Sequence, residues 1–269
     1  MELYRLSYCL LAVIMFVKQH ETAVVHSHNV HLNREREQDG AYISRDRGHM
    51  SDSGEHHGEF DHEAIIGSAK EAEEFDHLTP QESKRRLRIL LGKMDLSKDM
   101  FISRAELKAW ILRSFKMLSE EEAKERLEDA DENNDGRVTW DEYVADTYGM
   151  ESGEMPDDNE QLIRDDKIMW KVADQNGDDI LEGEEWVAFS HPEEHPSMLP
   201  YILEQTLREK DVDGNRAISF QEYLGDRGQD HDKQWLTSEK VKFDTELDKN
   251  GDGKLEGNEI LSWIVPSNE

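Results

Sequence analysis

Cysteine is nearly missing from this chain: Cys9 is the only one, and it lies inside an apolar run near the N-terminus. The remainder therefore has no disulfide framework and no thiolate zinc site. Basic residues are scarce too, 32 Lys and Arg against 62 Asp and Glu, giving a formal net charge of −30. A surface that acidic repels phosphate backbones and anionic headgroups, which argues against nucleic acid and bare membrane as partners. Hydrophobic residues make up only 36% of the 269 positions, enough for two or three small domains rather than one large core. No nucleophile elbow, phosphate loop or His-Glu-x-x-His helix is present, so the sequence predicts no enzyme. His191 with Glu193 and Glu194 comes nearest to an acid–base cluster, but Pro192 makes that stretch read as a linker.

Long apolar runs are also lacking. Leu6 to Val17 is twelve residues, too short for a bilayer, which takes about 20. After the positively charged start Met1–Arg5 it suits a signal peptide over residues 1–27, cut after Ser27 or alternatively after Ala23. No membrane insertion is then expected of the mature chain. Residues 28–77 are polar, with little apolar periodicity, and predict a disordered arm rich in His and acids. Its histidines lack the fixed spacing of a metal site.

What the chain does have is a repeat. From Thr79-Pro80-x-Glu82, an N-cap, N1 proline and N3 acid, to Trp263, an amphipathic helix, a twelve-residue polar loop and a second helix recur. The loops begin at Asp95, Asp131, Asp174, Asp211 and Asp248, a period of 36 to 43 residues. Oxygen-bearing side chains fall at loop positions 1, 3, 5, 9 and 12, with a backbone carbonyl available at 7. That is the spacing by which an EF-hand supplies a Ca²⁺ ion with about six to eight oxygens, position 12 being a bidentate Glu and position 6 a turn favouring Gly. Loop 2 meets every requirement with Asp131, Asn133, Asp135, Arg137 (carbonyl), Thr139 and Glu142 around Gly136. Loop 5 does so with Asp248, Asn250, Asp252, Lys254 (carbonyl), Glu256 and Glu259 around Gly253.

Three loops keep the oxygens and lose the glycine. Loop 3 offers Asp174, Asn176, Asp178, Ile180 (carbonyl), Glu182 and Glu185, with Asp179 at position 6. Loop 4 offers Asp211, Asp213, Asn215, Ala217 (carbonyl), Ser219 and Glu222, with Arg216 there. Loop 1 offers Asp95, Ser97, Asp99, Phe101 (carbonyl), Ser103 and Glu106, with Met100 there. A side chain forced to positive φ costs about 1–2 kcal/mol, so the expected affinity order is loops 2 and 5, then 3, then 4, then 1. The alternative for loop 1 is a degenerate hand that holds no ion.

Position 8 is apolar throughout: Ile102, Val138, Leu181, Ile218 and Leu255. In paired hands this residue makes a short antiparallel bridge and plugs a shared core. Leu91, Leu127, Trp170 and Leu207, each four residues before a loop, mark the core face of the incoming helices, with Phe243 and Leu247 taking that part in the fifth unit. The fold class is therefore all-α, tandem EF-hand pairs with short β bridges. Hands 1 and 2 are expected to pair over 78–149 and hands 3 and 4 over 160–226. Hand 5 (233–266) is then left alone, exposing Leu255, Ile260 and Ile264 for self-association. The methionines are scattered rather than gathered on the outgoing helices, which disfavours the alternative of a calmodulin-like sensor with a hydrophobic groove.

Beyond the loops, the chain resembles the reticulocalbin and calumenin family over residues 60–266. The marks are Phe75-Asp76-His77-Leu78-Thr79-Pro80-Gln81-Glu82-Ser83, Thr147-Tyr148-Gly149, Phe189-Ser190-His191-Pro192-Glu193-Glu194 and Trp263-Ile264-Val265-Pro266-Ser267. The resemblance implies low-affinity calcium binding in the endoplasmic reticulum lumen, with calcium storage and the chaperoning or regulation of client proteins. Such proteins usually have six hands and a His-Asp-Glu-Leu-like C-terminus, whereas this sequence shows five and ends Pro266-Ser267-Asn268-Glu269. On that reading it is a shortened isoform or an incomplete gene model, expected in the reticulum lumen or, without a retrieval signal, secreted.

Overall fold

Several helices of the repeat begin at a capping side chain: Thr79, Ser103, Thr139 and Ser219 each accept the N–H three residues on. The computed structural model describes residues 39–43, 58–149 and 160–265; the expected signal peptide and the last four residues lie outside these. Helix α1 (Gly58–Ile66) and α2 (Ala69–Asp76) are followed by α3 (Pro80–Met94) and α4 (Arg104–Ala130). After β1 (Val138–Thr139) come α5 (Trp140–Tyr148), α6 (Glu160–Ala173), β2 (Ile180–Leu181) and α7 (Gly183–Ser190). Helix α8 (Leu199–Lys210), β3 (Ile218–Ser219), α9 (Phe220–Leu224), α10 (Arg227–Asp230) and α11 (Lys233–Lys242) follow. A π turn (Phe243–Leu247), β4 (Lys254–Leu255) and α12 (Asn258–Ile264) complete the order. The fold is all-α. Among the described residues no helix is long and apolar enough to cross a membrane.

The hands pair differently from the expected scheme. Strand β1 bridges β2, Val138 opposite Leu181, and β3 bridges β4, Ile218 opposite Leu255. Hands 2 and 3 form one lobe, and hands 4 and 5 another. The cause is α4, which is at once the outgoing helix of hand 1 and the incoming helix of hand 2. It runs 27 residues without a break, about 40 Å at 1.5 Å per residue, and holds loops 1 and 2 at opposite ends. Loop 1 therefore cannot reach loop 2, and hand 2 takes hand 3. Hand 5 is not the orphan: Leu255, Ile260 and Ile264 are fully buried in the lobe it shares with hand 4.

The two lobes have aromatic cores. In the first, Trp170 lies among Trp140, Tyr143 and Phe189, with ring centroids 5.3 to 5.6 Å away. Asp166 Oδ2 accepts from both Tyr143 and Tyr148 hydroxyls at 2.6 Å. Burial there opposes ionisation and raises the Asp166 pKa despite the two donors. Trp186 Nε1 donates to Ala123 O at 2.7 Å, and buried His191 meets Glu122 at 3.0 Å, so α4 is tied to hand 3. In the second lobe Tyr223 packs against Phe243 and Trp263. The π turn carries Phe243 and Leu247 into this core, as the sequence predicts.

Hand 1 stands apart. Leu91, expected in a core, is 48% exposed, and Met100 and Phe101 are exposed as well. Its support comes instead from α1 and α2, which occupy part of the region expected to be disordered. Phe60 meets Phe115, Trp110 Nε1 donates to Ile65 O at 2.8 Å, and Glu121 accepts from Ser68 Oγ and Ala69 N. Gly67 makes the turn between α1 and α2 at φ 79°, where a Cβ would crowd Ser114 and Met117.

Candidate metal centres

All five loops share a core of internal hydrogen bonds, although their sequences differ. The position 1 aspartate caps the C-terminus of each incoming helix; Asp95, Asp131, Asp174 and Asp211 donate their N–H to the carbonyl four residues back, and Asp248 to Phe243. A carboxylate at that end faces the negative pole of the helix, an arrangement that a cation relieves. In every loop its Oδ2 accepts the position 6 N–H, at 2.7 to 2.9 Å: Met100, Gly136, Asp179, Arg216 and Gly253 are the donors. The position 5 side chain accepts the position 7 N–H at 2.8 to 3.0 Å in Asp99, Asp135, Asp178, Asn215 and Asp252. That bond fixes the backbone whose carbonyls at Phe101, Arg137, Ile180, Ala217 and Lys254 were expected to face an ion.

Position 12 folds back over the loop. Glu106 Oε1 accepts from Ser97 N, Glu142 Oε1 from Asn133 Nδ2, Glu185 from Asn176 N, Glu222 from Asp213 N and Glu259 from Asn250 N. Each bond joins position 12 to position 3. In hands 1, 2 and 4 the same glutamate completes a capping box with Ser103, Thr139 or Ser219 at position 9, so one residue both starts the outgoing helix and closes the loop. Glu256 N donates to Glu259 in hand 5. In hand 3 Glu182 caps α7 without its side chain, and Glu185 Oε2 is buried with no hydrogen-bond partner among the described residues.

Carboxylates converge most closely in hand 4. Ligand oxygens of Asp211, Asp213 and Glu222 all lie within 4.8 Å of one another. Burial pushes the Asp211 and Glu222 pKa values up, but the backbone N–H groups of Arg216, Gly214 and Asn215 on Asp211, and of Ser219 and Val212 on Glu222, outweigh it and hold both below the usual range. Glu106 is held at about 2 by the N–H groups of Ser103 and Ser97. These donor sets are all oxygen, which fits a hard divalent cation and not a soft one.

The position 6 backbone is left-handed, as predicted, at φ 68° for Met100, 63° for Asp179 and 63° for Arg216. Position 4 is left-handed too, which the sequence reading missed: Lys98 and Asn134 at φ 60°, with Gly177, Gly214 and Gly251 in the other loops. Those three glycines were a readable signal. Loop 1 thus carries two strained side chains and loop 5 none. Across the first bridge, Arg137 Nε pairs with Glu182 Oε2 at 2.8 Å, joining position 7 of one hand to position 9 of the next.

Helix–loop–helix units bridged at position 8, with oxygen donors at EF-hand spacing, define an EF-hand protein. Comparison with known proteins then gives the family. The chain is 38% identical to reticulocalbin-2 of Crotalus adamanteus over 229 residues, 80% of this chain and 75% of that protein. It is 37% and 36% identical to reticulocalbin-2 of Mus musculus and Rattus norvegicus, over 80% of this chain and 72% of each. It belongs to the reticulocalbin and calumenin family of EF-hand proteins. No family model matches the chain, and no solved structure does.

Proposed function

We propose that the chain takes up several Ca²⁺ ions weakly within the secretory pathway, buffers them there, and binds client proteins. The supporting observation is the convergence of Asp211, Asp213 and Glu222 in a loop whose bonds from position 6 to position 1 and from position 7 to position 5 recur in the other four. In each hand, side chains at positions 1, 3, 5, 9 and 12 and the carbonyl at 7 would hold the ion, which supplies the charge that offsets the gathered carboxylates. Strained loops bind weakly, and weak sites of about 10⁻⁴–10⁻³ M suit a compartment rich in free calcium. The outgoing-helix residues Trp186, Phe189, Tyr223 and Trp263 are packed in the lobe cores, so nothing favours a calmodulin-like sensor groove over this reading.

Isothermal titration of the full chain with Ca²⁺ tests the proposal. We expect multiple sites in that range, with Glu142→Gln and Glu259→Gln each weakening one site by more than about tenfold, the equivalent of 1.4 kcal/mol. Uptake unchanged by both substitutions would overturn it.

A further inference from the structure

One short piece of the N-terminal region is seated in a lobe. Asp39 to Tyr42 lies against the core of hands 4 and 5, with Ala41 and Tyr42 only 8% and 5% exposed. Tyr42 N donates to the carbonyl of Ile264, the last residue of α12, at 2.9 Å. Asp39 is 7% exposed; its Oδ1 accepts Ala41 N at 3.0 Å and its Oδ2 meets Lys242 Nζ at 3.5 Å. Gly40 crosses the Lys210 side chain at φ 97°. An acid, two small residues and an aromatic ring are each met by a matching feature: an ammonium, a narrow passage, and an apolar pocket with the helix-end carbonyl of Ile264 at its rim.

We propose that this cleft is a recognition groove for extended polypeptide of the pattern Asp-small-small-Tyr, and that Asp39–Tyr42 is its tethered occupant. The inference deepens the client-binding part of the proposed function by giving it a place and a ligand chemistry. A tethered segment acts at an effective concentration of about millimolar, so a free segment of the same pattern binds only when it outcompetes the chain's own. Two features favour polypeptide over a small molecule. The occupant's contacts include a main-chain N–H to a main-chain carbonyl, and they extend from Lys242 to Ile264 along the lobe.

The test uses the full chain and a fluorescein-labelled synthetic peptide spanning residues 37–45, read by fluorescence anisotropy. Tyr42→Ala empties the pocket, and we expect it to bind the peptide at least about tenfold more tightly than the unsubstituted chain. Tyr42→Phe keeps the ring and should behave like the unsubstituted chain. Adding Lys242→Glu to Tyr42→Ala should abolish the gain. Equal binding by the Tyr42→Ala and unsubstituted chains, or no binding by a Tyr42→Ala chain whose calcium titration is unchanged, would overturn the groove and leave the calcium reading intact. Should Tyr42→Ala fail to fold, benzoylphenylalanine at position 42 gives an independent answer: photo-cross-linking to α8 or α12 supports the groove, and none refutes it.

Discussion

Met100 and Lys98 are the reason loop 1 is proposed to bind an ion least tightly. Both hold left-handed backbone, and the Met100 side chain projects into solvent, so neither recovers its strain through packing. Replacing Met100 with Gly removes about 1–2 kcal/mol of that strain, and titration should show loop 1 binding Ca²⁺ roughly tenfold more tightly. Arg216→Gly in loop 4 should gain less, because Arg216 also pairs with Glu204 across the hand. Glu106 makes a second prediction. Its pKa falls from 4.5 to about 2, so its hydrogen bonds contribute fully above 4.5 and are lost as pH falls through 2. A carboxyl NMR titration of the calcium-free chain should place its midpoint near 2. The proposed ligand residues were legible because the geometry of an EF-hand loop dictates their spacing. The second left-handed position was legible only in part, since Asn134 and Lys98 there give no glycine signal.

At the scale of elements, the bridges and α4 decide the architecture. Leu255 is fully buried at a bridge, whereas Ile102, its counterpart in hand 1, is half-buried and unbridged among the described residues. Leu255→Ala should cost about 2–5 kcal/mol in chemical denaturation of the calcium-loaded chain, as deletions from a packed core do. Ile102→Ala should fall below that range, at under about 2 kcal/mol, because the side chain is not fully packed. The existence and class of the elements could be read from periodicity and caps. The partner of each hand could not, because position 8 is apolar in all five and carries no address. What selects the partner is the segment between hands. Between Ser103 and Ala130 no glycine or proline interrupts the chain, a sign that the shared helix is continuous.

The whole molecule gathers 62 acidic residues on one chain whose single cysteine, Cys9, has no second cysteine to pair with. Its small cores are Phe115 and neighbours on hand 1, the Trp170 cluster and the Tyr223 cluster. Each lobe has loops of clustered carboxylates, so cation removal raises repulsion where the helices begin and end. Chelation should therefore lower the helical circular dichroism of the full chain, and readdition of Ca²⁺ should restore it; identical spectra would contradict metal-linked folding. At this scale composition hid the seated Asp39–Tyr42 segment, since Ala41-Tyr42 is too short to show a period. It also hid α1, whose partner Phe115 lies on a helix far along the sequence.

The unbroken α4 makes the protein its own yardstick. Luminescent lanthanides lodged in loops 1 and 2 would sit at the two tips of a single rigid spar, and their energy-transfer distance should stay constant whatever the lobes do. Every other separation in the molecule can then be gauged against that fixed baseline.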